Sequence, residues 1–275
     1  RPTLVHIPAA AAPIALLHNL PAKSQLYLSP ETAAKIFAGE ITRWNDPAIA
    51  KDNNRSVNQV VYKKDSKGDL IKDKSGNPVV LRTTKKNITY TLPNQPITVI
   101  YRSDKSGTSG NFTAWLRGVA PATWTKPQND TFVTAFPGNI NAPGNIGRIV
   151  GASSSTGVSQ LAGKTPYSIT YAEVNYATAN KLKIANVINP AGNAVEPNSV
   201  NTSAFLADAA MDANGIMTFN YETKEAGAYP LGIVSYMLAD TAYPDKAKAA
   251  AVKQLATFLI SPACSKDKGG ALGFS

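Results

Sequence analysis

The residues best suited to chemistry lie in one polar stretch, Arg102 to Gly110. The apolar run before it, Pro96 to Tyr101, predicts a strand, and the three-and-four spacing of Phe112, Trp115 and Leu116 predicts a helix after it. The start of a helix offers unpaired backbone amides and the positive end of the helix dipole. The stretch is therefore a candidate anion-binding loop.

The residue types in this loop suit an oxyanion. Arg102 can supply a charge-assisted contact, and Ser106 and Thr108 can donate hydroxyl hydrogen bonds. Gly107 would let an anion approach the backbone closely, and Asp104 is placed to orient Arg102 by pairing with it. The alternative is an ordinary serine-rich helix cap whose arginine forms a structural ion pair.

Motifs for catalysis are missing from this loop. It has neither the Gly-x4-Gly-Lys-Ser/Thr spacing of a Walker A motif nor the Gly-x-Ser-x-Gly of a nucleophile elbow. Two histidines, His6 and His18, and a single cysteine, Cys264, give poor support to a metal site or a cysteine–histidine pair. We predict no catalytic residue, no metal and no cofactor.

The composition indicates a folded, basic protein, with 43% hydrophobic residues and a net charge of +10. A positive field favours anionic partners. Residues 63–86 hold eight Lys or Arg against three Asp, and turn signals there predict a basic hairpin near 60–91, or simply a solvated flap. Only Tyr62 and Tyr90 are near for base stacking, so nucleic acid is not predicted. No apolar run reaches the roughly 20 residues of a membrane span.

Strand-like and helix-like segments alternate along the chain, which predicts an α/β protein. Leu4 to Leu17 reads as a strand with a crossing or hinge at Ala9 to Pro13. Ala172 to Leu182 and Asp245 to Ile260 read as helices. Gly151 to Gly157 is a second small-residue loop, for which a plain turn is preferred to an anion-facing loop.

The segment Ile100 to Ser109, followed by Phe112 and Thr113, resembles the phosphate-binding loop of PstS-type proteins, the receptors of phosphate ABC transporters. Three further stretches agree in order with that family. Phe37 to Ile49 resembles its Gly-x-Ile-x-x-Trp-x-Asp-Pro-x-Ile element, Tyr167 to Ala177 is similar to its Gly-Tyr-x-Glu-x-x-Tyr-Ala stretch with Thr170 replacing the glycine, and Tyr229 to Leu231 looks like its return crossing between lobes.

This resemblance implies a type II periplasmic-binding-protein fold, in which two α/β lobes close on the ligand about a two-strand hinge. Residues 1–10 and 229–275 would be the remainder of lobe I, and 11–228 would be lobe II with the anion loop. By the same resemblance, the residues contacting phosphate would be Arg102, Ser106, Gly107 and Thr108, with Asp104 holding Arg102.

The family's first lobe normally begins with a strand and a Gly-Ser-Thr-rich loop, followed by a second Ser/Gly loop and an aspartate that accepts a proton from phosphate. None of these is visible in the sequence. We expect lobe I to be incomplete here, with a missing N-terminal segment or a partner chain completing it. Truncation, or a derived member that no longer transports phosphate, are the alternatives.

These features predict extracytoplasmic binding of inorganic phosphate, in the periplasm or outside the cell, for uptake by an ABC transporter. Binding would be reversible, would close the lobes without chemistry, and would bring the permease as a partner. Two alternatives remain, namely an adhesion or matrix module that keeps the fold, and a secreted phosphoester hydrolase that uses the same anion site.

Overall fold

The computed structural model describes residues 3–21, 25–74, 78–261 and 264 of the 275-residue chain. The helices in that part are α1 (Pro30–Phe37), α2 (Pro47–Asn53), α3 (Gly107–Val119), α4 (Phe132–Ala135), α5 (Ser154–Lys164), α6 (Asn175–Ala179), α7 (Ser199–Leu206) and α8 (Lys246–Leu259). The strands are β1 (Leu4–His18), β2 (Tyr27–Leu28), β3 (Asn54–Tyr62), β4 (Val80–Thr89), β5 (Thr98–Arg102), β6 (Ile149–Ala152), β7 (Ser168–Glu173), β8 (Lys183–Ile184), β9 (Asn186–Ile188), β10 (Ala194–Val195), β11 (Ala210–Met211), β12 (Met217–Thr218) and β13 (Gly232–Asp240). The α/β class is confirmed.

The largest sheet has the strand order β13-β1-β7-β5-β6, with β8 paired to β1. β1 pairs antiparallel with β13 as far as Pro13 and with β7 from Ile14 onward. β5 lies between β7 and β6 and runs parallel to both. The carboxyl ends of β5, β6 and β7 therefore meet at one edge of the sheet, which is where open α/β sheets bind their ligands.

Two chain segments lie side by side where β1 changes partner. The Ile14 amide donates to the Leu231 carbonyl at 3.0 Å, and the Tyr229 hydroxyl donates to the Ile14 carbonyl at 2.8 Å. The predicted crossing at Ala9 to Pro13 ends directly before this contact, and a register shift in β1 follows Pro8. The segment that ends the crossing at Ile14 and the segment Tyr229 to Leu231 are thus hydrogen-bonded to each other.

An aromatic core supports the helix that follows the anion loop. Phe112 of α3 stacks on Tyr171 of β7 at a ring-centroid distance of 4.1 Å and meets Phe37 of α1 edge-on at 4.7 Å. Trp115 and Leu116 are completely buried. Because these α3 residues recur three and four positions apart, they form a single apolar face, as predicted.

β3 and β4 form a separate antiparallel hairpin. It begins at Asn54, earlier than the predicted 60–91, because Val57 and Ile88 near its base are buried and extend the ladder toward the body of the protein. The lysines of its outer part are exposed. Residues 75–77, where a turn was predicted, lie outside the described residues.

The helix predicted over Ala172 to Leu182 has the wrong bounds. The ladder between β7 and β1 continues through Ala172 to Glu173, and α6 begins only at Asn175. Lys181 has a left-handed φ of 57°, which a helix interior does not accommodate. The ladder and this left-handed residue leave room for little more than one helical turn.

The last helix, α8, has no buried residue in the described part of the chain. Its Leu255 and Phe258 are 51% and 53% exposed, and Leu238 of β13 is 54% exposed. Large apolar side chains on α8 and β13 are therefore open to solvent in the described chain.

The predicted lobe boundaries, 1–10 with 229–275 and 11–228, stay a prediction. Residues 1–2, 262–263 and 265–275 of those ranges lie outside the described residues. Among the residues that are described, no helix combines the length and the apolarity needed to cross a membrane.

Candidate anion-binding site

Three strand-to-helix junctions meet at the edge formed by the parallel strands. β5 ends at Arg102 and leads into α3, β6 ends at Ala152 and leads into α5, and β7 ends at Glu173 just before α6. Since β5 is the middle strand of the three, the loop after Arg102 lies between the other two junctions. The sheet topology thus places the predicted loop at the centre of the site.

Arg102 is buried, with only 9% of its surface exposed, and its guanidinium is held by hydrogen bonds. Its Nε and Nη2 donate to the two carboxylate oxygens of Asp104 at 2.8 and 2.6 Å, and its Nη1 donates to Ser155 Oγ at 2.9 Å. The hydrogen bond from Arg102 holds the pKa of Asp104 well below its usual range, and the same contact raises the pKa of the guanidinium. The pair is therefore ionised at neutral pH.

The α5 junction supports Asp104 from the other side. Ser154 donates its amide to Asp104 Oδ1 at 2.9 Å, and Ser154 has a φ of 66°. Few residues other than glycine adopt this conformation, and such strain is concentrated at functional sites. Here the residue with the positive φ is Ser154, whose amide donates to Asp104. The start of α5 therefore positions the carboxylate of Asp104, and that carboxylate in turn orients Arg102.

The start of α3 is capped by Ser106. Its Oγ accepts from the Thr108 amide at 3.2 Å, and its own amide donates to the Asp130 carbonyl at 2.9 Å. No described residue accepts a hydrogen bond from the Gly107 amide. A methyl group at Gly107 would find its nearest neighbour at Ile233, 3.8 Å away. The backbone at Gly107 is therefore open to a ligand.

Two rungs of side-chain hydrogen bonds join the first turn of α3 to β7. Ser109 Oγ and the Tyr171 hydroxyl are 2.7 Å apart, and the same hydroxyl accepts from the Arg102 amide at 3.2 Å. Thr108 Oγ1 donates to Glu173 Oε1 at 2.9 Å. Burial raises the pKa of Tyr171, so its hydroxyl stays protonated. These rungs fix the helix start relative to the strand.

The five residues singled out in the sequence lie together in this structure. Two further residues join them that sequence reasoning did not select, Ser155 and Glu173. Ser155 falls in Gly151 to Gly157, for which a plain turn was preferred. The structure instead has the end of β6 and the start of α5 there, and the contact of Ser155 with Arg102 brings the start of α5 into the candidate site. Glu173 belongs to the Tyr167 to Ala177 stretch, where its position two residues after Tyr171 was the available signal.

The chain matches a known family model over almost all its length, because the model of the PBP superfamily domain covers residues 1–263. It is 32% identical to the phosphate-binding protein PstS2 of Mycobacterium bovis (strain BCG / Pasteur 1173P2) over 262 residues, which are 93% of this chain and 58% of that protein. It is 29% identical to the phosphate-binding protein PstS of Pasteurella multocida (strain Pm70), over 86% of this chain and 56% of that protein. The chain thus spans somewhat more than half the length of these curated relatives.

Solved structures show the same fold at lower identity. A high affinity periplasmic phosphate-binding protein (PfluDING) bound with phosphate matches with a TM-score of 0.64 and 21% identity, over 98% of this chain and 67% of that chain. A phosphate binding protein from Stenotrophomonas maltophilia matches with a TM-score of 0.57 and 20% identity, over 94% of this chain and 61% of that chain. The match to the family model over residues 1–263 establishes that the chain belongs to the PBP superfamily.

Proposed function

We propose that this chain binds inorganic phosphate reversibly and without chemistry, as part of the extracytoplasmic receptor of a phosphate ABC transporter. The observation that carries the proposal is the buried guanidinium of Arg102, fixed by Asp104 at the meeting point of three strand-to-helix junctions. The proposed ligands of phosphate are Arg102, Ser106, Gly107 and Thr108, and Asp104 orients the arginine.

The unused donors at this point suit a tetrahedral oxyanion. A guanidinium has five N–H groups, and three are occupied by Asp104 and Ser155. Two N–H groups of Arg102 therefore remain for a ligand. They can converge on one ligand together with the Gly107 amide and the hydroxyl hydrogen of Ser106. The positive end of the α3 dipole adds to the attraction.

The relatives support a binding role rather than catalysis, since the curated matches given above are named phosphate-binding proteins. The phosphate complex of PfluDING supports the fold as a phosphate receptor. Because the chain covers 58% of the M. bovis relative, transport, the permease partner and a location outside the cytoplasm are part of the proposal.

The exposed apolar side chains of α8 and β13 support a second part of the proposal. Leu238, Leu255 and Phe258 each expose more than half of their surface, and groups of large apolar side chains left open in this way mark contact surfaces. We propose that these side chains contact further polypeptide of the first lobe, supplied by an N-terminal segment or by a partner chain. That polypeptide would close the phosphate site from the opposite side.

Calorimetric titration of the intact protein with phosphate tests the proposal. Arg102→Ala should weaken phosphate binding by at least about a hundredfold, because two hydrogen bonds to a charged ligand are lost. Arg102→Lys keeps the charge and should still lose most of the affinity, since lysine cannot reproduce the planar fork. Arg82→Ala, at an exposed hairpin position, is the matched control and should bind like wild type. Absence of any phosphate heat with the wild-type protein would refute the proposal.

A further inference from the structure

The outer part of the β3–β4 hairpin carries a dense positive charge. Residues 63–86 hold eight Lys or Arg against three Asp, and all eight cations are exposed. The salt bridges among the described residues join Lys35 to Glu31 and Arg102 to Asp104, so none of them involves a cation of the hairpin. These charges are therefore available to an anionic partner.

The two strands of the hairpin have different surroundings. β3 lies against the body of the protein, because Val57 is buried and the Tyr62 hydroxyl donates to Asn201 Oδ1 of α7 at 3.2 Å. β4 has one buried residue, Ile88 near the base, and within the described part of the chain it pairs with no strand other than β3. β4 is thus the outer edge of the hairpin.

Exposed apolar side chains lie on this edge. Val80 is 38% exposed and Leu81 is 53% exposed. The ladder pairs Val61 with Arg82 and Tyr62 with Val80, so Leu81 is the extra residue of a β-bulge and has no opposing partner. Bulges redirect the side chains that they contain. The edge therefore presents two aliphatic side chains to solvent.

Cations flank these aliphatic side chains. Lys63 lies beside them, since its amide donates to the Val79 carbonyl at 2.8 Å. Lys85 and Lys86 follow on β4 and, as successive strand residues, point to opposite faces of the hairpin. Segments that lie at a membrane surface combine these two components. Their aliphatic groups reach the acyl boundary, and their lysines extend to the headgroups.

We propose that the β4 edge binds the surface of an anionic phospholipid bilayer. Headgroup phosphates would pair with the cations, and the acyl boundary would accept Val80 and Leu81. A nucleic acid would call for aromatic side chains to stack on its bases, and this edge offers aliphatic ones. Lysines also protect an edge strand from pairing with other chains, but that role does not account for an exposed leucine among them. The inference goes beyond phosphate binding and does not depend on it.

The test is sedimentation of the intact protein with vesicles. Vesicles of equal parts phosphatidylglycerol and phosphatidylcholine should bind it at least about tenfold more tightly than phosphatidylcholine alone. Each cation near an anionic surface contributes about fivefold, so replacing Lys63, Lys85 and Lys86 together by Ser should weaken binding by about a hundredfold. Leu81→Ser should weaken it by about fivefold, because about half of this side chain is still available for burial.

A matched control removes the same charge elsewhere. Replacing Lys126, Lys164 and Lys181 together by Ser changes three exposed positions outside the hairpin and should retain most of the binding. The melting temperature of each variant checks that it folds. Salt provides a test that needs no variant, since raising it from about 0.1 M to about 1 M shortens the Debye length from about 10 Å to about 3 Å and should release the wild-type protein.

Three results would overturn the proposal. Wild-type protein that does not bind the phosphatidylglycerol vesicles at low salt has no such surface. Equal losses in the hairpin variant and the control variant would assign binding to net charge and not to β4. Binding that Leu81→Ser leaves unchanged would mean that the edge attracts polyanions without contacting a bilayer. Phosphate titration of the hairpin variant should match wild type, which keeps this test separate from that of the proposed function.

Discussion

Lowering the pH should destabilise the protein through His18, a buried histidine on β1. Its side chain is 1% exposed, and Nδ1 accepts a long hydrogen bond of 3.4 Å from the Leu20 amide. Burial, and then the positive charge of Lys183, lower the pKa of His18 from 6.5 to about 3. The imidazole therefore remains neutral in the folded protein down to about pH 3.

The size of the effect follows from the difference between the folded and unfolded states. Between pH 6.5 and pH 3 the unfolded chain binds a proton at His18 that the folded chain excludes, so stability decreases as the pH falls. Each pH unit within this window costs about 1.4 kcal/mol. Going from pH 7 to pH 5, His18 should lower the free energy of unfolding by about 2 kcal/mol, a substantial fraction of the 5–15 kcal/mol usual for a domain.

Urea unfolding followed by tryptophan fluorescence at pH 7, 6 and 5 measures this loss. The comparison is with His18→Asn, which keeps an acceptor oxygen close to the Nδ1 position and cannot titrate. The free energy of unfolding of wild type minus that of the variant should be about 2 kcal/mol lower at pH 5 than at pH 7, whatever the substitution costs at pH 7. Lys183→Met removes the secondary cause and should abolish only the smaller part of the pH dependence. A gap that stays constant from pH 7 to pH 5 would refute the argument from burial.

Two further substitutions test contacts described above. Asp104→Asn should lower the melting temperature at pH 7, and the difference from wild type should shrink as the pH falls below about 4. The pKa of Asp104 is lowered in the folded protein, so the carboxylate contributes to stability above that pH and loses this contribution as the pH falls further. Scanning calorimetry from pH 6 to pH 3 measures the difference, and a constant difference would contradict the prediction. Gly227→Ala would overlap the Tyr62 hydroxyl, which donates to Asn201 at 3.2 Å, and should cost about 1–3 kcal/mol in urea unfolding. Tyr62→Ala in the same background should recover part of that cost, and purely additive losses would argue against the overlap.

The anion loop could be predicted from the sequence because the signals that specify it are local. A strand, a polar loop and a helix start follow one another within Pro96 to Leu116, and capping and dipole rules act over single turns. Even the pairing of Arg102 with Asp104 spans only two residues. The predicted loop and its orienting carboxylate could therefore be placed before any tertiary structure was known.

The rest of the site depends on strand order, which those rules do not determine. Ser155 lies 53 residues after Arg102, and Glu173 lies 65 residues after Thr108. Both are brought to the loop because β6 and β7 flank β5 in the sheet. The same neighbours decide where the helix after Tyr171 begins, since pairing with β1 keeps the chain extended to Glu173.

The unbroken course of β1 has a consequence for movement. Its residues form one continuous hydrogen-bonded ribbon from Leu4 to His18, paired with β13 on one side of Ile14 and with β7 on the other. Along β1 no flexible linker separates the two paired regions. A change in the angle between them therefore has to bend the strand itself. We expect bending to be easiest at the register shift after Pro8 and at Pro13, which has no backbone N–H to donate to a neighbouring strand. Bending at this crossing should therefore cost elastic energy, and the paired strands should favour a return to the original angle.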